Sequence, residues 1–122
     1  MYTYNIKLDR VLDGDTIDAI IDLGFDIHVK KRIRFQGINA PESRTKDLKE
    51  KAKGLAAKDR LKAILEGAKT IHLCSHGVGK YGRCLGELHV DVVDGKEQLT
   101  LANVNELLIK EGHAVTYDGG KR

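Results

Sequence analysis

The segment 34–42 places an arginine, an amide and a carboxylate close to the only proline of the 122-residue chain. Pro41 fixes its own φ and favours an extended backbone at the residue before it, so Asn39 and Glu42 project in defined directions. Arg34 carries a planar guanidinium whose paired donors match the geometry of a phosphate. These residue types in this order are typical of a site that holds a phosphate.

Two further segments supply groups that such a site needs. The turn 13–16 reads Asp-Gly-Asp-Thr and offers two carboxylates, and the segment 80–83 reads Lys-Tyr-Gly-Arg and offers a second guanidinium beside an aromatic ring. Carboxylate and amide oxygens are hard ligands that suit a divalent cation such as Ca²⁺. Together the three segments predict a metal-assisted phosphodiesterase.

The carboxylate and amide side chains are expected to surround the cation and its water. Asp15 and Asn39 are the predicted side-chain metal ligands, and the main-chain carbonyl of Ala40 is the predicted third ligand. Glu42 lies two residues further along the chain, where it can orient or deprotonate a water molecule near the ion. Asp13 is expected only to shape the turn.

The cationic and aromatic side chains are expected to contact the substrate. A phosphodiester repels nucleophiles because it is charged, so a catalyst must stabilise the charge that develops at phosphorus. Arg34 and Arg83 are predicted to clamp the phosphate with paired hydrogen bonds. The predicted contacts to the nucleotide are Lys80, Tyr81 and Tyr117.

Each motif taken alone has an ordinary structural explanation. An Asp-Gly-Asp sequence is usually a turn, and the turn 13–16 lacks the ligand spacing of an EF-hand loop. Alone, Arg34 would be interpreted as a surface charge, Glu42 as a turn or helix residue, and Arg83 as part of a hairpin. The functional interpretation therefore depends on the motifs occurring together and in this order.

The residues between the motifs predict a small barrel of the α+β class. Apolar and polar side chains alternate as in half-buried strands, and this alternation puts Arg34 on the polar face of its strand. The predicted strands cover 17–23, 27–36, 70–74 and 85–93. Asp94-Gly95 is a predicted hairpin turn after the last of them.

Two helices are predicted among these strands. The charged, alanine-rich stretch 45–67 has helical periodicity, although Gly54 weakens it by about 1 kcal/mol. Asn103, with Glu106 three residues later, is a predicted cap for a second helix that ends at Gly112. No linker, repeat or low-complexity segment divides the chain, so residues 1–122 are expected to form one domain.

The overall charge does not identify a partner. Lys and Arg number 21 and Asp and Glu number 18, which gives a net charge of +3 at pH 7. Positive charge is concentrated in the stretch 28–34 and in Lys121 and Arg122, although a solvated strand face explains Lys30 and Lys31 equally well. The distribution of charge agrees with a nucleic-acid partner but does not require one.

Cys74 and Cys84 leave two other interpretations open. His72, Cys74 and His76 share one face of a strand by their spacing, and with Cys84 they would form a tetrahedral zinc site. A disulfide is the second alternative, but the phases of the two strands direct Cys74 outward and Cys84 inward. Two reduced thiols are therefore expected.

Taken together, the motifs resemble those of the staphylococcal nuclease (thermonuclease) family from about Arg10 to about Gly112. The resemblance rests on the turn 13–16, the arginine followed by Pro-Glu, a helix, the segment 80–83 and a late helix that contains Asn and Glu. It implies a five-stranded OB-type β-barrel with two to three helices, one Ca²⁺, and hydrolysis of DNA or RNA. The positions that match the calcium ligands of that family are Asp15, Asn39 and Ala40.

Two features depart from the prototype of the family. The prototype has an aspartate where this chain has Asn39. An amide keeps the ligand oxygen but removes one negative charge, so weaker calcium binding or a changed metal preference is expected. The prototype also continues beyond the region of Tyr117 with a further helix that this chain lacks, which leaves the alignment of that tyrosine open by one residue.

The sequence therefore predicts a calcium-dependent endonuclease that acts on flexible or single-stranded DNA or RNA. The alternative is a non-catalytic binding module with a weakened metal site, because OB-type barrels commonly hold single strands without cutting them. Glu42 favours the enzyme, since a pure binder has no need of a carboxylate beside a phosphate, and an aromatic content of 5% gives a poor stacking platform. A third alternative, an interaction domain with a decayed site, rests only on Asn39.

The expected location follows from two sequence features. The chain has no stretch of about 18 apolar residues, so no membrane-spanning segment is predicted. The residues 1–5 lack the basic and then apolar pattern of a secretory leader. We therefore expect a cytoplasmic monomer of an intracellular or phage-type family member, or a secreted protein if a leader has been removed.

Overall fold

The computed structural model describes residues 2–78, 84–93 and 99–117. The strands in these ranges are β1 (Tyr2–Asp13), β2 (Thr16–Asp22), β3 (His28–Phe35), β4 (Ile38–Asn39), β5 (Ile71–Val78), β6 (Cys84–Val93), β7 (Leu99–Asn103) and β8 (Val115–Thr116). The helices are α1 (Leu48–Glu66) and α2 (Val104–Lys110). The predicted turn at Asp94-Gly95 and the basic residues Lys121 and Arg122 lie outside the described residues.

Five of the strands close into a barrel. They follow the order β3-β2-β1-β5-β6 with antiparallel neighbours, and β3 then pairs in parallel with β6, with Ile33 opposite Cys84. β7 extends the sheet beyond β6, and β4 pairs with β8 in a separate two-stranded sheet. The closed five-stranded barrel with two helices confirms the predicted α+β, OB-type fold.

The interior of the barrel is filled by the inward-facing side chains of the strands. Ile17 of β2, Ile33 of β3 and Leu88 of β6 have no exposed surface, because successive side chains alternate between the two faces of a strand. Leu61 of α1 and Leu108 of α2 are equally buried and belong to the same apolar cluster. Burial of each such side chain contributes about 1.5–3 kcal/mol, so this core fixes the strands that carry the polar groups.

β1 is the largest element that the sequence pattern did not predict. Its pairing with β2 shifts register between Leu8 and Arg10 and again between Val11 and Asp13, so the alternation of apolar residues is interrupted. Val11 and Leu12 are adjacent and both buried, which is incompatible with the regular period of a strand. β7, which directly precedes α2, was also not predicted.

α1 begins at Leu48, later than the helical periodicity predicted, because the residue before it is a strong cap. Asp47 has an extended backbone, and its Oδ1 accepts hydrogen bonds from the amides of Lys49 at 3.0 Å and Glu50 at 3.3 Å. These bonds satisfy amides that have no partner inside the helix.

Neither α1 nor α2 is long and apolar enough to cross a membrane.

Two glycines let α1 approach the rest of the chain at backbone distance. Gly54 is buried, and a Cβ there would overlap the main-chain carbonyl of Glu42 and lie 2.7 Å from the amide nitrogen of Ser43. A Cβ at Gly14 would lie 2.7 Å from the Cβ of Ala57. Gly54 is therefore more than a weak point of the helix, since it allows α1 to support both the segment after Pro41 and the turn 13–16.

Asp18 connects three neighbouring strands on the polar side of β2. Its Oδ1 accepts from Nε of Arg32 on β3 at 2.9 Å, and its Oδ2 accepts from Nε of Arg10 on β1 at 3.2 Å. The hydrogen bond from Arg32 holds the pKa of Asp18 below its ordinary value, burial opposes this shift, and Arg10 adds to it. The charged form of Asp18 is therefore favoured by folding.

Replacing Gly54 with alanine tests the close approach of α1. In an exposed helix this change stabilises by about 1 kcal/mol through helix propensity. Here we expect it to lower the free energy of unfolding by about 1–3 kcal/mol, because the added methyl group overlaps the main chain of Glu42. Urea denaturation measures the difference. Ala56→Gly, at an exposed position of α1, is the control that measures the effect of helix propensity alone. A Gly54→Ala protein that is more stable than the parent would contradict the close contact.

The pH dependence of stability tests the role of Asp18. Its pKa is lower in the folded state, so its stabilising contribution is present above the ordinary value of 3.8 and is lost as the pH falls through the folded-state pKa. Asp18→Asn should lower the Tm at neutral pH, and its difference from the parent protein should shrink at acidic pH. Asp59→Asn, on the exposed side of α1, is the control. A difference that does not change with pH would contradict this role.

Candidate active site

A pocket of about 310 Å³ opens between the turn 13–16, the end of β3 and the segment that follows β4. It brings together predicted residues that are far apart in sequence, and Asp13 and Thr16 of the turn 13–16 also line it. The predicted residues that line it are Asp15, Arg34, Asn39, Ala40, Glu42 and Tyr117. The other predicted residues, Lys80, Tyr81 and Arg83, lie outside the described residues.

Asp15 is the most firmly held group of the pocket, with only 6% of its surface exposed. Its Oδ2 accepts a hydrogen bond from the amide of Ala40 at 2.9 Å, and its Oδ1 accepts from the hydroxyl of Thr16 at 2.9 Å. Its main-chain carbonyl accepts from the amide of Phe35 at 2.9 Å. Both carboxylate oxygens and the backbone are thus fixed relative to β3 and to the segment after β4.

Arg34 projects from the polar face of β3 into the pocket, as the alternation predicted. Its Nη1 donates to the carbonyl of Phe35 at 2.9 Å. Its Nη2 donates to Oδ1 of Asn39 at 3.2 Å and lies 3.4 Å from Oδ2 of Asp15. The carboxylate and the amide that were predicted to bind a cation therefore converge on one positively charged group.

The donor atoms of this pocket suit a hard cation. Asp15 and Asn39 each offer an oxygen ligand, as Ca²⁺ prefers, and Oδ2 of Asp15 and Oδ1 of Asn39 already lie around Nη2 of Arg34. Within residues 2–78, 84–93 and 99–117, no three His, Cys, Asp or Glu side chains are grouped in the manner of a metal site. The ligand set predicted for a cation here is one carboxylate, one amide and one main-chain oxygen, which is a donor set of low charge.

Glu42 is exposed at the pocket, and the residue after it anchors its backbone. Ser43 is 2% exposed; its amide donates to Oδ1 of Asp13 at 3.2 Å, and its hydroxyl contacts the same oxygen and the carbonyl of Leu12. Asp13 thus does more than shape its own turn, because it ties the Pro-Glu segment to the turn. The only sequence signal for Ser43 is its position directly after Pro-Glu.

Tyr117 reaches the pocket through the small second sheet. In that sheet Asn39 of β4 lies opposite Val115 of β8. Just beyond β8, the amide of Tyr117 donates to the carbonyl of Gly37 at 2.8 Å. The pairing of these short strands therefore brings an aromatic residue to the pocket that Asn39 lines, although neither strand was predicted from the sequence.

Asn105 holds the end of β3 next to β6. It is 4% exposed, its Nδ2 donates to the carbonyl of Gln36 at 2.9 Å, and its Oδ1 accepts from the amide of Leu88 at 3.3 Å. The sequence pattern drew attention instead to Asn103, whose predicted capping role is confirmed by a 3.2 Å bond from the amide of Glu106. An amide among the apolar residues of α2 is the signal that would have pointed to Asn105.

The cysteines and histidines of β5 and β6 form a separate polar region. Neither Cys74 nor Cys84 forms a disulfide, and they are not opposite each other, because Cys74 pairs with Glu87 and Cys84 with Val78. Cys84 packs against the core, as its predicted inward phase requires. The group proposed as a zinc site from its spacing is not assembled among the described residues.

The chain is similar to several proteins whose names refer to nucleases. It is 33% identical over 108 residues to Micrococcal nuclease of Shigella flexneri, which covers 88% of this chain and 55% of that protein. It is 32% identical over 112 residues to Endonuclease YncB of Bacillus subtilis (strain 168), which covers 90% of this chain and 46% of that protein. Probable staphylococcal-like nuclease CAN1 of Oryza sativa subsp. japonica is 36% identical over 77 residues, 62% of this chain and 21% of that protein.

These relatives are longer than this chain, whereas the family model matches most of it. The chain spans about half the length of the Shigella and Bacillus relatives. Residues 32–122 match the family described as Staphylococcal nuclease homologue, and this range includes most of the pocket and both helices. With the closed barrel and the assembled pocket, this match shows that the chain belongs to the staphylococcal nuclease homologue family.

Proposed function

We propose that the protein is a calcium-dependent nuclease that hydrolyses phosphodiester bonds in flexible or single-stranded DNA or RNA. The observation that carries the proposal is the convergence of Asp15 and Asn39 oxygens on the guanidinium of Arg34 in a pocket that Glu42 also lines. The groups proposed to bind a cation and a phosphate thus line one cavity. The relatives named Micrococcal nuclease and Endonuclease YncB support the same class of reaction.

Arg34 is the proposed phosphate-binding group. A guanidinium has five N–H donors in a rigid fork, and Nη1 and Nη2 of Arg34 each donate one bond to a protein oxygen. Its side chain is 14% exposed and lines the pocket, where it would meet a bound phosphate. Arg83, outside the described residues, is the proposed second clamp, and paired charge-assisted hydrogen bonds would stabilise the charge at phosphorus.

Glu42 is the proposed acceptor of the proton from the attacking water. A calcium ion held by Asp15, Asn39 and the carbonyl of Ala40 would neutralise the phosphate and assist the water. Both carboxylate oxygens of Asp15 already accept hydrogen bonds, from the amide of Ala40 and the hydroxyl of Thr16. Glu42 is exposed at the pocket and follows directly after Pro41, so it is the better base.

A binding module without catalysis is the second candidate function. Asn39 favours it, because the proposed ligand set then contains one carboxylate instead of two, and a cation would bind more weakly. The exposed Glu42 favours the enzyme, since a carboxylate beside a phosphate repels it and is useful only for handling a proton. Cleavage and binding assays on the same oligonucleotide separate these two functions.

The first test is cleavage of single-stranded DNA and RNA with and without calcium, followed by gel analysis. Arg34→Lys should lower kcat/KM almost as much as Arg34→Ala, by about 10²–10³-fold, because lysine cannot form the paired hydrogen bonds. Arg32→Lys, on the same polar face of β3 but paired with Asp18, is the control and should keep its activity. Binding without cleavage by the parent protein would favour the binding module.

Replacing Asn39 with aspartate tests the proposed ligand set. The change adds a negative charge at ligand distance without a change in shape, so calcium binding should become stronger by on the order of 1–3 kcal/mol. Asn39→Ala should weaken binding, because the ligand oxygen is removed. Isothermal titration calorimetry of the three proteins with calcium measures both effects. If neither the parent protein nor Asn39→Asp binds calcium, the proposed ligands are wrong.

A further inference from the structure

A second, larger cleft adjoins the pocket. Its volume is about 530 Å³, and Asn39 and Ala40 line both cavities, so the two adjoin at this part of the chain. The rest of the cleft is formed by the first turns of α1 and by the residues 112–115 between α2 and β8. A volume of several hundred Å³ is typical of sites that bind small organic groups.

The cleft combines apolar surface with flexible positive charge. Pro41 and Val115 contribute apolar surface, and Val115 is 64% exposed. Lys49 and Lys53 both line the cleft from α1, one helical turn apart, and His113 lines it from the opposite segment. A base or sugar fits the apolar surface and a phosphate fits the lysines, which is the combination that single-stranded nucleic acids require.

Two carboxylates also line the cleft, and their surroundings limit how strongly they would repel a phosphate. Asp47 is engaged as the cap of α1 through the amides of Lys49 and Glu50. Glu50 lies in the first turn, where the positive end of the helix dipole offsets a negative charge. Among the residues that the structure describes, Lys49 and Lys53 form no ion pair, so both ammonium groups remain available to a phosphate.

We infer that this cleft binds the nucleotide next to the cleaved phosphodiester, with Lys49 and Lys53 contacting the neighbouring phosphate. The inference rests on the proposed nuclease function. Because Asn39 and Ala40 line both cavities, a strand whose reacting phosphate lies at Arg34 and which continues past these two residues enters the cleft. The cleft would therefore extend the substrate-binding surface and favour substrates longer than one phosphodiester unit.

The double variant Lys49→Ala/Lys53→Ala tests this assignment. With a single-stranded oligonucleotide its KM should rise about 10-fold with little change in kcat, because two phosphate contacts are lost away from the reacting atoms. The slope of log KM against log salt should become shallower by about 1.4, which is the value for two contacts to a single strand. Hydrolysis of a small diester such as bis(p-nitrophenyl) phosphate, which does not reach the cleft, should stay unchanged.

The matched control removes the same charge from the same helix. Lys51 and Lys62 are exposed residues of α1 that do not line the cleft, so Lys51→Ala/Lys62→Ala should leave KM and the salt slope close to the parent values. An equal loss in both double variants, or no loss in the cleft variant, would overturn the assignment.

The experiment also separates this inference from the proposed function. If the parent protein cleaves the small diester and the oligonucleotide but the lysines have no effect, only the cleft assignment fails. If the parent protein cleaves neither substrate, the proposed nuclease function is wrong. Fluorescence anisotropy of the labelled oligonucleotide then tests whether the cleft binds a single strand. Weaker binding confined to Lys49→Ala/Lys53→Ala would then support a binding cleft, and equal binding by all three proteins would rule it out.

Discussion

The buried carboxylate of Asp15 joins the segments that form the pocket. Its Oδ2 accepts the amide of Ala40 and pairs with Arg34, so the turn 13–16, β3 and the segment after β4 meet at one atom. A carboxylate that is only 6% exposed is tolerated because it is both paired and hydrogen-bonded. The three segments around the pocket are therefore held in place, because movement of any one of them would leave a buried charge without one of its partners.

The support for this arrangement comes from α1. Gly14 and Gly54 let the helix touch the turn 13–16 and the main chain of Glu42 at the same time, while the buried Ser43 ties that main chain to Asp13. Groups that bind a reacting phosphate must be held within a fraction of an ångström, which requires a rigid second layer behind them. Here the close packing of α1 at Gly14 and Gly54 and the hydrogen bond between Ser43 and Asp13 provide that support.

The sequence was sufficient where local periodicity determines the structure. Alternation predicted the strand that carries Arg34 and the face from which it projects, and Asn103 was recognised as a cap from its spacing to Glu106. The contacts of Ser43 with Asp13 and of Asn105 with Gln36 were not predictable in this way, because their partners are 30 and 69 residues apart. Such contacts depend on how the barrel closes, and a local pattern carries no information about closure.

Under the proposed function, the charges of the pocket couple the binding of a cation to the binding of phosphate. Asp15 holds the buried negative charge, Asn39 is neutral, and Arg34 compensates the carboxylate. If Arg34 turned toward a phosphate, Asp15 would lose part of this compensation, and a cation held by the same oxygens would restore it. A cation bound first would in turn repel Arg34 and direct it to the phosphate. The neutral Asn39 strengthens this coupling, because a second carboxylate would leave an excess of negative charge that holds the cation even without substrate.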